Sequence, residues 1–330
     1  MPPFRAEKGA IIAKNAIGQP ETPPFFFSGC PKPQNTMQTH FQKALAGISH
    51  AALYVVATPI GNLADITLRA LAVLQKADLV CAEDTRVTAK LLGAYGIQAK
   101  LVSVREQNEQ QMADKIIAAL AEGKIVAQVS DAGTPAVCDP GARLAARVRE
   151  AGFRVVPVAG ASAVMAALSA AGITESDFYF GGFLPAKRSE RTRLFADWAA
   201  VYHTIVAFET PHRIAETLAD MAAVFPDRGM VLARELTKTF ETFLSGSVAE
   251  VQAALQADAD QARGEMVLIL RPAAAPEKNG PLPESARQVM QILAAELPDK
   301  QAAELAAKIT GENKKALYRL ALSWKTDSLS

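Results

Sequence analysis

The sequence predicts an α/β protein made of two α/β units and a small C-terminal helical unit. Three observations carry this reading. From Leu53 to Gly172, short apolar runs alternate with longer amphipathic ones, the pattern of a mainly parallel sheet with helices on both faces. A second series of the same kind runs from about Asp177 to Arg271. Beyond a proline-rich stretch at residues 272–283, three segments with helical period follow.

The elements follow in order. Residues 1–46 contain Pro2, Pro3, Pro20, Pro23, Pro24, Pro31 and Pro33 and no sustained periodicity, so a disordered extension is expected. Its Phe25-Phe26-Phe27 run is too short for the apolar region of a signal peptide, and Met37 is a candidate alternative start. The first unit spans residues 47–172, with strands at 53–57, 78–82, 125–129 and 154–158. Its helices fit 66–77, 87–95, 108–122, 142–151 and 161–171, and Asp65 is placed to cap the first of them. The second unit spans 173–271, with strands at 178–183, 204–208, 230–233, 240–245 and 266–270. There Ser247-Val248-Ala249-Glu250 forms a capping box that opens a helix. Residues 272–283 read as a linker. In the helical unit, 284–330, helices are expected at 284–297, 299–309 and 313–324, with Gly311 stopping the second. Ala303, Leu305, Ala306 and Ile309 fall on one helix face, and Leu317, Leu320 and Ala321 on the next. Paired, they make a helix-turn-helix-like unit.

Bulk properties narrow the function only a little. Half of the 330 residues are hydrophobic, enough for a sizeable core, and the net charge is +1, from 35 basic and 34 acidic side chains. A nucleic-acid binder with that balance needs a local basic patch. Cys30, Cys81 and Cys138 have neither metal-ligand spacing nor a disulfide pattern, which fits a reduced cytoplasm. His40, His50, His203 and His212 form no zinc pattern, so no metal is expected. No apolar run has the length of a membrane span.

Two loops carry the chemical signal. The stronger is Ser130-Asp131-Ala132-Gly133-Thr134-Pro135-Ala136-Val137-Cys138-Asp139-Pro140-Gly141, between an expected strand and an expected helix. An open α/β sheet binds its ligand there, beyond the carboxyl end of a strand. Two prolines restrict the backbone, two glycines permit close approach, and aspartates accept hydrogen bonds. An ordinary connection at this point is usually much shorter. The second loop, Thr58-Pro59-Ile60-Gly61-Asn62-Leu63, follows the first expected strand. It is neither Gly-x-Gly-x-x-Gly nor a P-loop, which weakens a reading as a nicotinamide-dependent oxidoreductase.

These loops, with other motifs in order, resemble a known family. Tyr54-Val55-Val56-Ala57-Thr58-Pro59-Ile60-Gly61-Asn62-Leu63, Ala82-Glu83-Asp84-Thr85-Arg86 and the 130–141 loop are its first three motifs. Gly182-Phe183-Leu184-Pro185, Phe208-Glu209-Thr210-Pro211-His212-Arg213, Arg234-Glu235-Leu236-Thr237-Lys238 and Gly264-Glu265 complete them. Together they are similar to the ribosomal RNA small subunit methyltransferase I group of the tetrapyrrole-methylase-like superfamily. The chain departs from the usual Pro-Gly with Ala159-Gly160 before Ala161 and Ser162, and carries Cys138 where Ser is common.

The resemblance implies two α/β subdomains of the tetrapyrrole-methylase type with a cofactor cleft between them. It also implies S-adenosylmethionine as cofactor, a homodimer, and 2′-O-methylation of a cytidine ribose in the decoding region of 16S rRNA within the small ribosomal subunit (cytidine 1402 in conventional rRNA numbering). By the same analogy, Thr58, Pro59, Gly61, Asn62, Ser130, Asp131, Ala132, Gly133, Thr134 and Pro135 are expected to bind the cofactor, with Ser162 and Ala163 at a helix start. The alternative for Ser162 is a plain helix cap. Glu83, Asp84 and Glu235 are candidate general bases for the hydroxyl proton; an ion pair is the alternative for the first two. Arg86, Lys187, Arg188, Arg191, Arg213, Lys238, Lys314 and Lys315 are candidate RNA contacts; the alternative is an ion pair for Arg86, a solvated helix start for Lys187, Arg188 and Arg191, and a stabilising or dimer-covering appendage for the helices that carry Lys314 and Lys315. Rival readings are a superfamily member acting on a tetrapyrrole or another small acceptor, and a non-catalytic RNA-binding module. The second leaves two elaborate loops unexplained.

Overall fold

A computed structural model describes residues 34–273 and 282–327. The chain divides into two compact units at Ala273 and Ala274, inside the expected linker, most of which lies outside the described residues. No helix among the described residues is long and apolar enough to cross a membrane.

The first unit begins with α1 (Gln34–Ala46), β1 (Ala52–Val56), α2 (Leu68–Lys76), β2 (Leu79–Ala82), α3 (Thr85–Ala94), β3 (Leu101–Ser103), α4 (Glu109–Ala121), β4 (Ile125–Gln128), α5 (Ala142–Glu150), β5 (Arg154–Val158) and α6 (Ala163–Ala170). The five strands form one sheet in the order β3-β2-β4-β1-β5, and its pairings are all parallel. Successive side chains on a strand point to opposite faces. Tyr54, Val80, Ala82, Ile125 and Ala127 accordingly share a core with α2, whereas Leu53, Cys81 and Val126 pack with α4 and α5 on the other side. Both faces are covered, as a parallel sheet requires.

Two expectations change here. Residues 34–46 are helical rather than disordered, because Phe41, Ala44 and Leu45 pack against the core that holds α2. The last proline of the segment is Pro33, so the composition of residues 1–46 as a whole hides this helix. The disorder expected for 1–33 lies outside the described residues. Asp65 does not cap α2; Thr67 does, its hydroxyl oxygen accepting from the Ala70 N–H at 3.1 Å. Asp65 instead ends a single 3-10 turn, Leu63–Asp65, whose cap is Asn62.

A second sheet follows in the same unit: β6 (Phe178–Phe183), α7 (Arg188–Trp198), β7 (Thr204–Glu209), α8 (Ile214–Val224), β8 (Gly229–Arg234), β9 (Thr242–Ser247), α9 (Val248–Ala257) and β10 (Met266–Leu270). Its order is β6-β7-β10-β8-β9. Only β6 and β7 run parallel; the other three pairings are antiparallel. The Ser247 and Glu250 capping box is present with both hydrogen bonds. One face packs Phe195, Leu218 and Val251 of α7, α8 and α9. The other face, with Val206, Val231, Val267 and Ile269, packs Val164 and Ala167 of α6 together with Ile60. The loop after β1 and the helix after β5 thus seat the first sheet's loop edge against the second sheet.

The helical unit contains α10 (Glu284–Glu296), α11 (Asp299–Thr310) and α12 (Lys314–Asp327). Ala286, Met290, Ala302, Ala303, Ala306, Leu317 and Ala321 form its core. Gly311 ends α11 in the left-handed conformation at φ 77°, as the glycine predicts. Leu305 and Ile309 are exposed, against the expected face; the small Ala302, Ala303 and Ala306 side chains take the buried positions instead.

Candidate active site

The strand order reverses between β1 and β4, since β1 leads toward β2 on one side and β4 leads across to β5 on the other. A parallel sheet opens a crevice at such a switch point. The two loops singled out by sequence leave these neighbouring strands. They are tied together where the Thr58 N–H donates to the Gly133 carbonyl at 2.8 Å and the Gly133 N–H returns a bond at 3.0 Å. Gly133 holds φ 77° to make this bridge, a conformation that glycine adopts without steric cost.

A cavity of about 400 Å³ lies beside this bridge, between the two sheets. Asp131, Ala132, Gly133 and Thr134 line it from the 130–141 loop, and Ser162, Ala163 and Val164 from the first turn of α6. The second sheet contributes Phe208, Glu209, Thr210, Met266 and Val267, and the flanking loops Ile60, Phe183 and Leu236. Phe183 and Phe208 meet edge to face at 5.3 Å. Glu209 is buried, and its carboxylate accepts from the Thr217 hydroxyl at 2.7 Å and the Thr210 N–H at 2.7 Å while pairing with Arg213 at 2.6 Å. Ser162 makes no side-chain cap bond, so the first-turn N–H groups of α6, which lack intrahelical acceptors, have no cap from it.

Half of the expected cofactor residues line this cavity and half do not. Thr58, Pro59, Gly61, Asn62, Ser130 and Pro135 are not on its lining. Thr58 is buried in the bridge, and the Ser130 hydroxyl donates back to its own loop at Ala132. Asn62 caps the 3-10 turn. At Gly61 a Cβ would come within 2.5 Å of the Lys238 side chain, so this glycine serves close packing. Ile60 is the residue of that loop which reaches the cavity, and sequence reasoning passed it over because an isolated Ile in a turn carries no polar signal. Phe183, Phe208, Leu236 and Glu265 were also missed as individual residues, although each stands in a motif that carries the family resemblance.

A second, polar cavity of about 590 Å³ adjoins the first. Glu83, Asp84, Arg105, Glu109, Asp131, Asp139 and Arg143 line it, and it shares Asp131, Cys138 and Asp139 with the smaller cavity. The loop between them is held under strain. Ala136 and Cys138 adopt φ 67° and 65°, which costs a residue with a side chain on the order of 1–3 kcal/mol. Gly141 sits at φ 124°, where a Cβ would fall 1.4 Å from the Gln128 side-chain nitrogen. The buried Glu109 carboxylate accepts from the N–H groups of Gly141 at 3.0 Å and Leu144 at 2.8 Å, fixing the start of α5.

The three candidate bases stand apart electrostatically. Asp84 caps α3 and is gripped by the Arg86 guanidinium, which holds its carboxyl well below the usual carboxylate range. Glu235 lines neither cavity; burial works to raise its pKa, but the Lys238 ammonium at 2.8 Å and the Glu265 N–H at 2.9 Å bring it below the ordinary value. Glu83 is pushed up by burial and by Asp131 and Asp139, and it lines only the polar cavity. Asp139 is pushed up by burial; its hydrogen bond with Ser130 opposes this and Asp131 reinforces it.

The candidate RNA contacts divide similarly. Arg191 is corrected: it is 1 % exposed, with its guanidinium on Asp220 at 2.6 Å, so it cannot meet phosphate. Arg213 is largely buried on Glu209, and Lys238 bridges Glu235 and Glu265. Lys187, Arg188 and Arg86 keep exposed side chains, paired with Glu190, Asp220 and Asp84. In the helical unit Lys315 is exposed and Lys314 pairs with Glu304 at 2.6 Å.

Comparison with known proteins places this geometry. Residues 52–252 match the family model of the Tetrapyrrole (Corrin/Porphyrin) Methylases, and residues 280–325 that of the RsmI C-terminal HTH domain. Over 288 residues the chain is 72% identical to the Ribosomal RNA small subunit methyltransferase I of Neisseria meningitidis serogroup B, covering 87% of this chain and 99% of that one. It is 48% identical over 282 residues to the protein of the same name from Escherichia coli O157:H7, covering 85% and 98%. Among solved structures, cobalt precorrin-4 methyltransferase, CbiF, shares the fold at 20% identity and a TM-score of 0.51, covering 67% of this chain and 95% of that one. The chain therefore belongs to the ribosomal RNA small subunit methyltransferase I family of the tetrapyrrole methylases.

Proposed function

We propose that the chain transfers a methyl group from S-adenosylmethionine to the 2′-hydroxyl of a cytidine ribose in the decoding region of 16S rRNA. It does so as a cytoplasmic homodimer acting on the small ribosomal subunit. The observation that carries the reading is the cavity of about 400 Å³ at the β1 and β4 switch point. Its volume suits a small-molecule ligand, and its lining suits this one. Ala132 and Gly133 leave the backbone approachable, Asp131 supplies an acceptor for hydroxyl or ammonium groups, and Ile60, Leu236 and Val267 offer an apolar surface for an aromatic ring. S-adenosylmethionine brings an already activated methyl group, so positioning can supply much of the acceleration.

The RNA reading draws on the names of the relatives and on exposed cations. Lys187 and Arg188 open α7 with side chains 77% and 78% exposed, and Arg86 is exposed at the start of α3. Lys314 and Lys315 at the start of α12 give the helical unit its own phosphate contacts. The homodimer reading draws on edge strand β6, which exposes Phe178 and Tyr179. The test is incubation with unmodified small subunits and labelled cofactor, followed by nuclease digestion and mass spectrometry. A single 2′-O-methylcytidine in the decoding region is expected. A methylated base, or label on a small acceptor alone, would overturn the assignment.

A further inference from the structure

The polar cavity has a composition unlike the cofactor-sized one. Its lining carries the carboxylates of Glu83, Asp84, Glu106, Glu109, Asp131 and Asp139 together with the exposed Arg105 and Arg143. We propose that this cavity takes the acceptor nucleotide, extruded from the RNA, and that Asp139, on the wall shared with the cofactor cavity, accepts the proton of the ribose 2′-hydroxyl. The inference rests on the reading of the chain as a ribose methyltransferase.

Three arguments lead there. The first is chemical fit. A cytidine nucleotide offers an N4 amino donor, which carboxylates recognise, and flanking phosphates, which arginines recognise. A cavity of about 590 Å³ has room for it, and enzymes that act on a base take its nucleotide out of the stack, a displacement that also frees the ribose hydroxyl.

The second is position. With the methyl donor in one cavity and the acceptor in the other, the reacting oxygen lies at their common wall. Asp131, Cys138 and Asp139 are the side chains on both linings. Asp131 accepts from the Asp84 N–H at 3.1 Å, and in the reading above its remaining acceptor capacity is taken by the cofactor. The Cys138 thiol is pushed up by burial and by Asp139, so it is neutral near pH 7 and a poor acceptor. Asp139 remains, held on the strained stretch between Cys138 and Gly141, with burial raising its basicity.

The third is construction. Left-handed Cys138 precedes Asp139, Gly141 follows it in a conformation closed to other residues, and Glu109 pins the far end of the loop. Such strain persists where the surroundings hold a functional group in place. In the step itself, the O2′–CH3 bond forms as the S–CH3 bond breaks. The bonding pair leaves with sulfur, converting the sulfonium to a thioether, and the hydroxyl proton passes to Asp139 and then to water.

The experiment uses the full chain with unmodified small subunits. Asp139→Asn keeps the shape of the side chain and removes its proton-accepting carboxylate. Single-turnover methylation at saturating cofactor and subunit is expected to fall by about 10²–10⁴-fold, the usual contribution of a general base, with cofactor affinity by calorimetry unchanged. The wild-type rate should fall at acid pH as Asp139 is protonated, and that limb should vanish in the variant. Glu83, Asp84, Glu106, Glu109, Asp131, Arg105, Arg143 and Cys138 also line this space, and Glu209 and Glu265 line the adjoining cavity, so Glu83→Gln runs in parallel and should retain the acid limb. Arg143→Ala should raise the KM for subunits with kcat held. A rate for Asp139→Asn within about five-fold of wild type, or a loss of cofactor affinity that explains the deficit, overturns the role of Asp139. An unchanged KM in Arg143→Ala overturns the nucleotide pocket. If wild-type enzyme places no methyl on ribose, the underlying reading fails first, and that outcome is distinct from failure of either variant.

Discussion

The loop after β1 and the loop after β4 look alike in sequence and do different work. Both follow buried strands, both are rich in Pro and Gly, and they are hydrogen-bonded to each other through Thr58 and Gly133. Yet the first contributes only Ile60 to the cofactor-sized cavity, whereas the second lines two cavities with consecutive residues. In the first loop the polar groups turn inward: Thr58 is buried and Asn62 caps a helical turn. In the second, Asp131 and Asp139 stay at the cavity walls while Ser130, Glu109 and Gln128 hold the backbone behind them. Loop composition marks where a site is; it does not separate the residues that touch a ligand from those that shape the loop.

The largest expected effect that sharpens this contrast is at Gly141. Gly141→Ala combines a left-handed backbone with a Cβ placed 1.4 Å from the Gln128 nitrogen. It should destabilise the first unit by about 3 kcal/mol or more, measured by urea unfolding, and abolish methyl transfer. A folded variant with normal stability would show that the 130–141 loop is as forgiving as the first loop.

Glu109→Ala comes next. Removing the buried carboxylate leaves the N–H groups of Gly141 and Leu144 without their acceptor. A loss of about 1.5–3 kcal/mol is expected by the same unfolding measurement. A change below about 0.5 kcal/mol would mean that the loop is held by something else.

Asp131→Ala and Asn62→Ala then compare the two loops directly. Asp131→Ala removes a charged hydrogen-bond partner from the cavity, at a cost of about 1.5–3 kcal/mol, or roughly tenfold to a hundredfold in cofactor affinity by calorimetry. Asn62→Ala removes a cap and should cost about 0.5–2 kcal/mol of stability with affinity held. If Asn62→Ala weakens binding as much as Asp131→Ala, the division of labour between the loops is wrong.

The smallest effect is at the surface. Lys187→Ala with Arg188→Ala should leave cofactor affinity unchanged and make the salt dependence of subunit binding shallower, since fewer counterions are released. An unaltered slope would return these residues to an ordinary solvated face. Arg191 belongs outside that set, because its side chain is buried, whereas Arg188 on the same Asp220 carboxylate keeps its side chain exposed.

What could be read from the sequence follows from how each signal arises. Buried parallel strands read clearly, because apolar runs such as Leu53 to Val56 are both continuous and bounded. β3 was not legible: it has three residues, all partly exposed, and no window of that length shows a period. α1 was hidden by the prolines before it. Polar loop residues could be located, but their direction could not, since Asn62 and Asp131 have similar chemistry and differ in which way the backbone turns them. Lys187, Arg188 and Arg191 form one charge cluster on paper; only the packing of α7 against α8 sends Arg191 to Asp220 and leaves its neighbours outside. Glu109, a buried carboxylate at a helix start, gives no sequence signal of its partners 32 and 35 residues away.

The most direct test of the site as a whole is a crystal structure of the full chain with S-adenosylhomocysteine bound. The expected result is the ligand in the cavity between the sheets, touching Ala132 to Thr134, the first turn of α6 and Leu236, with Ile60 the contact from the first loop and Asp139 facing its sulfur from the shared wall. A ligand seated in the polar cavity, or held by the side chains of Thr58 and Asn62, would contradict it.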